Sequence, residues 1–320
     1  MPRAQLINDI SVAAEALRAG KLVAFATETV YGLGANALDT NAVANIFAAK
    51  GRPHFDPLIV HLADAEQVIS IVTEVSDVAQ TLMNEFWPGP LTLVLPKREI
   101  VPDLVTAGLP SVAVRVPDHP QARELLRSTD IPVAAPSANP FGRISPTTAA
   151  HVMKHLGDQI DYVLDGGPCR VGVESTVLKV DGDQVQLLRP GGVTRELIEA
   201  LIGPIQTTQS SGDQAPQTAP GMLASHYAPR TPLNIVNRWE DFTELNRVGI
   251  LSFGPLENLE RFGDVRILSP RESLTEATAN FFAMLRELDE SGVDQIIAQR
   301  FPDHGLGIAL NDRLTRAAAR

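Results

Sequence analysis

Residues 205–221, IQTTQSSGDQAPQTAPG, limit the fold more than any other feature of this chain. One large aliphatic residue stands there among glutamines, threonines, serines and prolines, which cannot build a core and read as an extended linker. The 320 residues therefore divide into a first unit over 1–203, a linker over 204–232 and a second unit over 233–320. Two separate cores are expected, each within ordinary domain size.

Periodicity supplies the elements on either side. In the first unit, residues 8–20 read as a helix stopped by Gly20, and KLVAFAT as a short strand. NAVANIFAAK is a helix that Asp39 or Thr40 can cap, and LIVHL is a strand, with two helical stretches between Asp64 and Phe86. Trp87-Pro-Gly-Pro90 is a firm break. TLVLP, SVAVRV and IPVAAP then read as strands, with a helix at 121–127; strands follow at 161–165, 175–180 and 184–189, and Thr194 opens a helix to Leu201. In the second unit LNIV, RVGILSF, DVRIL and VDQIIAQ alternate with helical ELNR, SLTEATANFFAMLRELDE and LGIALNDRLTRAAAR, a rhythm that predicts a small parallel α/β domain.

Charge and cysteine content narrow the chemistry. The net charge of −11, with 16 basic and 23 acidic side chains in the first 203 residues, argues against binding driven by bulk attraction to nucleic-acid phosphates. A small anionic substrate held by a few placed cations stays allowed. A single cysteine, Cys169, excludes a disulfide framework and a multi-thiolate metal site. No stretch approaches the roughly 20 apolar residues that cross a bilayer. The opening MPRAQLINDI lacks a signal peptide's apolar core, so a cytoplasmic protein is expected.

Several familiar signals fail. Gly32-Leu-Gly-Ala-Asn-Ala37 starts like a dinucleotide fingerprint, but the following helix begins too late to meet a pyrophosphate, and a tight turn is the expectation. Gly20-Lys21 lacks the rest of a phosphate-cradling loop. His151 and His155 share a helical face without an intervening Glu and are expected to be solvated. Ser175 lacks the glycines of a nucleophile elbow. What remains is a repeated pattern of cations and hydroxyls in backbone-broken loops: Lys50-Gly-Arg-Pro53, Pro136-Ser-Ala-Asn139, Arg143-Ile-Ser-Pro146, Glu174-Ser-Thr-Val177 and Arg189-Pro-Gly-Gly192. Several such loops in one unit suggest a cleft that holds phosphates and a carboxylate through placed donors.

Thr27-Glu-Thr-Val-Tyr-Gly-Leu-Gly34, the Lys50-Gly-Arg-Pro53 loop, Pro57-Leu-Ile-Val-His-Leu62, Trp87-Pro-Gly-Pro90, Ser137-Ala-Asn139, Glu174-Ser-Thr176, Arg189-Pro-Gly191 and Ser225-His-Tyr-Ala-Pro229 occur in this order. Together they resemble the threonylcarbamoyl-AMP synthases in their long Sua5 form, over residues 1 to about 230 by motif and over the rest by layout. The resemblance implies a YrdC-type α/β fold, a twisted open mixed sheet with helices and a concave, locally positive face, followed by a Rossmann-like domain. It implies a nucleotidyltransferase that joins L-threonine, bicarbonate (or CO2) and ATP into threonylcarbamoyl-AMP and pyrophosphate. A separate transferase complex then modifies adenosine 37 of tRNA, so that direct tRNA contact would be weak or transient.

By the same resemblance Thr29, His61, Arg115, Ala135 and Ser175 surround threonine, with the Arg115 fork on its carboxylate. Lys50, Arg52, Asp56, Ser111, Ser137, Asn139, Ser145 and Arg189 hold ATP, with Lys50 and Arg52 as the catalytic cations. His226 and Tyr227 close over the nucleotide as the linker folds back. Mg2+ is expected to ride on the ATP phosphates, with Asp56, where relatives often carry Asn, tilting toward the metal or a bridging water. The reading of another class is an RNA-binding module on the same concave face. Carbamoyl transfer in hydrogenase maturation is set aside, since that architecture needs cysteine-rich fingers.

Overall fold

The computed structural model describes residues 4–207, 225–236, 246–257 and 262–319. The chain enters through strand β1 (Gln5–Ile7) and helix α1 (Ile10–Arg18), whose N-terminus is capped by the Asp9 carboxylate accepting from the Ser11 and Val12 amides. Hairpin strands β2 (Val23–Ala26) and β3 (Tyr31–Asn36) follow. The turn expected at 32–37 is therefore a strand. Its glycines are there for space: a Cβ on Gly34 would lie 2.9 Å from the Phe25 ring and 3.0 Å from Val133. Helix α2 (Thr40–Lys50) is capped by Asp39 and ended by Gly51 at φ 61°, a left-handed cap that favours glycine.

Strand β4 (Ile59–His61), a 3-10 turn (Ala65–Ser70), α3 (Asp77–Phe86), β5 (Leu91–Pro96), α4 (Asp103–Thr106), β6 (Ser111–Arg115), α5 (Pro120–Thr129), β7 (Val133–Ala134), α6 (Ala149–Leu156) and β8 (Tyr162–Leu164) come next. The unit closes with β9 (Thr176–Asp181), β10 (Gln184–Arg189), α7 (Arg195–Ile202) and β11 (Gln206–Thr207). These strands form one mixed sheet in the order β1-β8-β2-β3-β7-β4-β6-β5-β9-β10-β11. Parallel pairs such as β4–β6 and β5–β9 sit beside antiparallel β5–β6 and β9–β10. Strands β4, β6 and β9 bring the motif residues of distant loops to one sheet end, where His61 pairs with Arg115 in register.

The second unit carries β12 (Leu233–Ile235), β13 (Val248–Ser252), β14 (Asp264–Ile267), α8 (Leu274–Glu290), β15 (Gln295–Ala298) and α9 (Leu306–Ala318). Its sheet, in the order β12-β15-β13-β14, is parallel throughout, as the sequence rhythm predicts. Residues 208–224 of the linker, and half of the ELNR segment, lie outside the described residues. The two cores are not separate. Val30, Ile144 and Val173 of the first unit pack in one apolar cluster with Tyr227 and with Phe281, Phe282, Leu285 and Leu314 of the second.

His151 and His155 are half-buried rather than solvated. α6 presses them toward Arg286 and Glu290 of α8, and burial, reinforced by Arg286, pulls His151 down to about 4.

Candidate active site

One cleft gathers Thr27, Thr29, Val30, Gly32, Arg52, Ile59, His61, Arg115, Ala135, Pro136, Ser137, Glu174, Ser175, Arg189, His226 and Tyr227. All five residues assigned to threonine line it.

The loop from β2 to β3 forms one wall. The Thr27 hydroxyl donates to the Val30 carbonyl at 2.7 Å and lies 2.8 Å from the Thr29 hydroxyl, which accepts from Arg115 Nη1 at 3.0 Å. Arg115 already has partners within the protein. Its Nε donates to the Gly89 carbonyl at 3.2 Å, and its Nη2 lies 2.6 Å from Oε1 of Glu28, a fully buried carboxylate. The physical reason is burial: a guanidinium this deep needs a counter-charge whether or not substrate is bound. Beside it, burial and the Arg115 charge pull His61 down to about 3, so its imidazole is neutral at physiological pH, and its Nδ1 has no hydrogen-bonding partner in the protein. Opposite, the Ser175 hydroxyl lies 2.7 Å from that of Thr92, and Arg189 Nη2 reaches the Ser175 carbonyl at 3.0 Å and its hydroxyl at 3.3 Å.

The wall at the end of α2 carries the cations. Arg52 lines the cleft; its Nη2 lies 3.0 Å from Asp56 and donates to the Pro57 carbonyl at 2.8 Å. Asp56, which the sequence reading aimed at a metal or water, is fully buried against Arg52 instead. An acid beside phosphates is unfavourable unless neutralised, and Arg52 neutralises it. Lys50 does not line the cleft. Its buried ammonium donates to the Ser137 carbonyl at 2.5 Å and to that of Asn139, strapping the loop that presents Ser137. Burial, and then the neighbouring Arg52, push this amine well below the usual lysine range. Asn139 Nδ2 donates to the Pro140 and Arg143 carbonyls, so it shapes the same loop. Ser145 donates to Glu174 Oε1 at 2.6 Å. Ser111 stands apart, at the other end of β6, about 13 Å along the strand from Arg115 but on the same face.

His226 and Tyr227 also line the cleft. The His226 ring is 5.9 Å from Phe141 and 4.2 Å from Tyr227, and the Tyr227 ring is 5.5 Å from Phe282 of α8. The Ala228 amide donates to the Gly142 carbonyl at 2.8 Å, pinning this segment to the first unit. Both His226 Nδ1 and Tyr227 Oη are buried without a hydrogen-bonding partner in the protein. Burial lowers His226 to about 3, helped by Arg52, Lys50 and Arg189.

Three charged residues escaped the sequence reading as individuals. Glu28 and Glu174 sit inside quoted motifs but drew no role, since a carboxylate in an anion-binding loop has no evident purpose. Arg313, in a helical stretch otherwise read as amphipathic, pairs with Glu174 at 2.8 Å across the unit boundary. No local pattern announces that contact. Among the described residues no group of three or more His, Cys, Asp or Glu side chains is placed to hold a metal ion.

Comparison with known proteins adds an independent line. A family model described as "Telomere recombination" matches residues 15–191, and one described as "Threonylcarbamoyl-AMP synthase, C-terminal domain" matches 193–319. A Bacillus subtilis threonylcarbamoyl-AMP synthase is 46% identical over 97% of this chain and 92% of its own. One from Pyrococcus abyssi is 44% identical over 97% of this chain and 94% of its own. The crystal structure of P. abyssi Sua5 complexed with L-threonine superposes with a TM-score of 0.91 at 41% identity, covering 98% of both chains.

Proposed function

The chain belongs to the threonylcarbamoyl-AMP synthases of the two-domain Sua5 type, and from that premise we propose how its cleft performs the reaction. The enzyme is a nucleotidyltransferase that joins L-threonine, bicarbonate (or CO2) and ATP into threonylcarbamoyl-AMP and pyrophosphate, for threonylcarbamoylation of adenosine 37 in tRNA. One observation carries the assignment of roles: Thr29, His61, Arg115 and Ser175 share a single cleft with Arg52, Ser137 and Arg189, and with His226 and Tyr227.

Threonine sits at the Arg115 end. Two of the five guanidinium N–H groups are directed at Gly89 and Thr29, Nη2 pairs in charge with Glu28 without a hydrogen bond, and the remaining N–H groups are left for the amino-acid carboxylate. Neutral His61 offers its Nδ1 to the amine or hydroxyl without adding charge. The free amine of threonine adds to CO2 and loses a proton, and the resulting carbamate oxygen attacks the α-phosphorus of ATP. The bond to the β-phosphate oxygen breaks and pyrophosphate leaves with the electron pair. Arg52 and Arg189 face the charge that gathers on the phosphates, so the catalytic contribution is alignment and preset neutralisation. Lys50 acts behind them, holding Ser137 in place. A nucleotide lying along β6 would bring Ser111 into the same site. Mg2+, carried on the ATP phosphates, supplies further neutralisation there.

His226 and Tyr227 exclude water from a carbamate that decomposes and an adenylate that hydrolyses, and their unpartnered ring nitrogen and hydroxyl are suited to the nucleotide. The product is a mixed anhydride, which fits delivery to a separate transferase complex rather than lasting contact with tRNA. The cations also weigh against an RNA-binding module, because Arg52, Arg115 and Arg189 are buried inside the cleft. No described helix is long and apolar enough to cross a membrane.

Pyrophosphate release from ATP tests the assignment when threonine and bicarbonate are omitted in turn. Release that requires both is expected. Release with ATP alone, or with threonine alone in CO2-free buffer, would overturn it.

A further inference from the structure

The second unit sends one charged side chain into the wall of the cleft. Arg313 of α9 is fully buried. Its Nε donates to Glu174 Oε2 at 2.8 Å, its Nη1 pairs with Asp312 at 2.5 Å, and its guanidinium carbon lies 5.2 Å from the centre of the Tyr227 ring. The other Glu174 oxygen accepts from Ser145 at 2.6 Å, and Glu174 and Tyr227 both line the cleft. One guanidinium thus touches a pocket carboxylate and the underside of the cover.

Stability alone gives weak grounds for this arrangement, because a buried ion pair is often matched or bettered by well-packed apolar residues. A carboxylate in the wall of a phosphate site is a liability on electrostatic grounds unless its charge is cancelled on the side away from the ligand. Arg313 cancels it from that side. The same cation on the Tyr227 face favours the ring orientation seen here, by attraction to the negative face of the π system. Tyr227 itself has a backbone φ of 65°, unusual for a residue with a side chain, so its placement needs support from outside its own segment.

Resting on the reaction assigned above, we propose that Arg313 is a positioning residue for adenylate formation: it fixes the charge and orientation of Glu174 and the set of Tyr227 over the nucleotide, making α9 a working part of the active site. Its reach to threonine is indirect: of the residues assigned to that substrate only Ser175, next to Glu174 in the chain, borders this contact, while Thr29, His61 and Arg115 make none with Arg313.

The acid limb of the pH–rate profile carries the signature. Glu174 faces Arg313 and Asp312 from α9, Arg189 from β10, His226 and Tyr227 from the cover, and the Ser145 hydroxyl; Arg286 of α8 reaches the Ile144 carbonyl nearby. Burial alone would raise the Glu174 carboxyl, yet Arg313, Arg189 and Ser145 together hold it below the usual range. Without Arg313 its folded-state value rises, so the charged carboxylate that orients the Ser145 hydroxyl is lost at a higher pH than in the parent enzyme, and the activity that needs this orientation goes with it.

The experiment uses the full chain as Arg313→Lys, Arg313→Met and Arg313→Met/Glu174→Gln, reading pyrophosphate release, threonine affinity and thermal unfolding. For a folded Arg313→Met we expect at least a tenfold rise in KM for ATP or fall in kcat, an acid limb moved to higher pH, a smaller change in threonine affinity than in ATP affinity, and partial rescue in Arg313→Lys. A folded Arg313→Met with parental KM, kcat and acid limb would overturn the proposal. If Arg313→Met does not fold, the double variant decides, because it removes both buried charges. Folding regained without activity supports the role, and folding regained with parental activity overturns it. Failure of the parent enzyme to release pyrophosphate with threonine and bicarbonate would count against the reaction itself, whatever Arg313 does.

Discussion

Arg52 answers to two partners, the phosphates it faces and the Asp56 carboxylate it neutralises, and a substitution there separates the two duties. Arg52→Ala leaves the Asp56 carboxyl, which burial already pushes up, without its nearest counter-charge in a site with no exposure, so we expect a loss of up to about 3–5 kcal/mol of stability along with most of the pyrophosphate release. Adding Asp56→Asn should restore the denaturant midpoint and leave activity low; activity restored with the midpoint would remove Arg52 from the phosphate site. Three histidines make a second case at this scale. His61 and His226 are held at about 3 and His151 at about 4, each first by burial. Their values in the unfolded chain lie near the ordinary 6.5, so the unfolded state binds more protons below that pH and stability falls on acidification. Between about pH 6 and pH 4.5 unfolding should take up close to three protons from these rings, read as the slope of unfolding free energy against pH. A flat profile over that range would mean that the rings are charged in the folded protein.

Among the elements, the corner after β10 shows how a backbone shapes a site. A Cβ on Gly191 would lie 2.4 Å from the Glu174 carbonyl oxygen and from the backbone of Ser175 and Thr176. Glycine is required there because two motif loops touch backbone to backbone. Gly191→Ala should therefore displace Arg189 from Ser175, raising KM for both substrates and lowering the melting temperature; parental KM values would show that the loops can part without cost to the site. Much of this level was legible in advance. Asp39, Thr194 and Gly51 mark helix ends through side-chain and φ preferences that act locally, and alternating β-branched residues mark β6 and β9. The strand β3 was not legible, because its glycines make room for Phe25 of β2 and for Ala135 just after β7. The short strands β1 and β11 also went unread, since Gln5-Leu-Ile7 is set among polar residues and Gln206-Thr207 is polar throughout.

At the scale of the whole molecule, the division into two units was legible from the linker composition, but the fusion of their cores was not. Nothing near Val30, Ile144 or Val173 says that they pack with Phe281 and Phe282. The same holds for the site: its motif residues can be picked out one by one, whereas Glu28 with Arg115 and Glu174 with Arg313 become visible only when distant segments meet. A chain ended after Gly203 should keep most of its sheet by circular dichroism, bind threonine weakly and form little adenylate. It should also aggregate more readily, as it leaves that apolar group uncovered. Activity equal to the full chain at the same substrate levels would reduce the second unit to a tether.

The pairing of Glu174 with Arg313 spans 139 residues. Chains leave the ribosome at about 5–20 residues per second, so the pocket strands exist for on the order of ten seconds before α9 can reach them. Through that interval the cleft has its own side chains but lacks the guanidinium that balances one of its walls. An unfinished chain should then be a poor maker of the labile anhydride, as expected of the chain ended after Gly203.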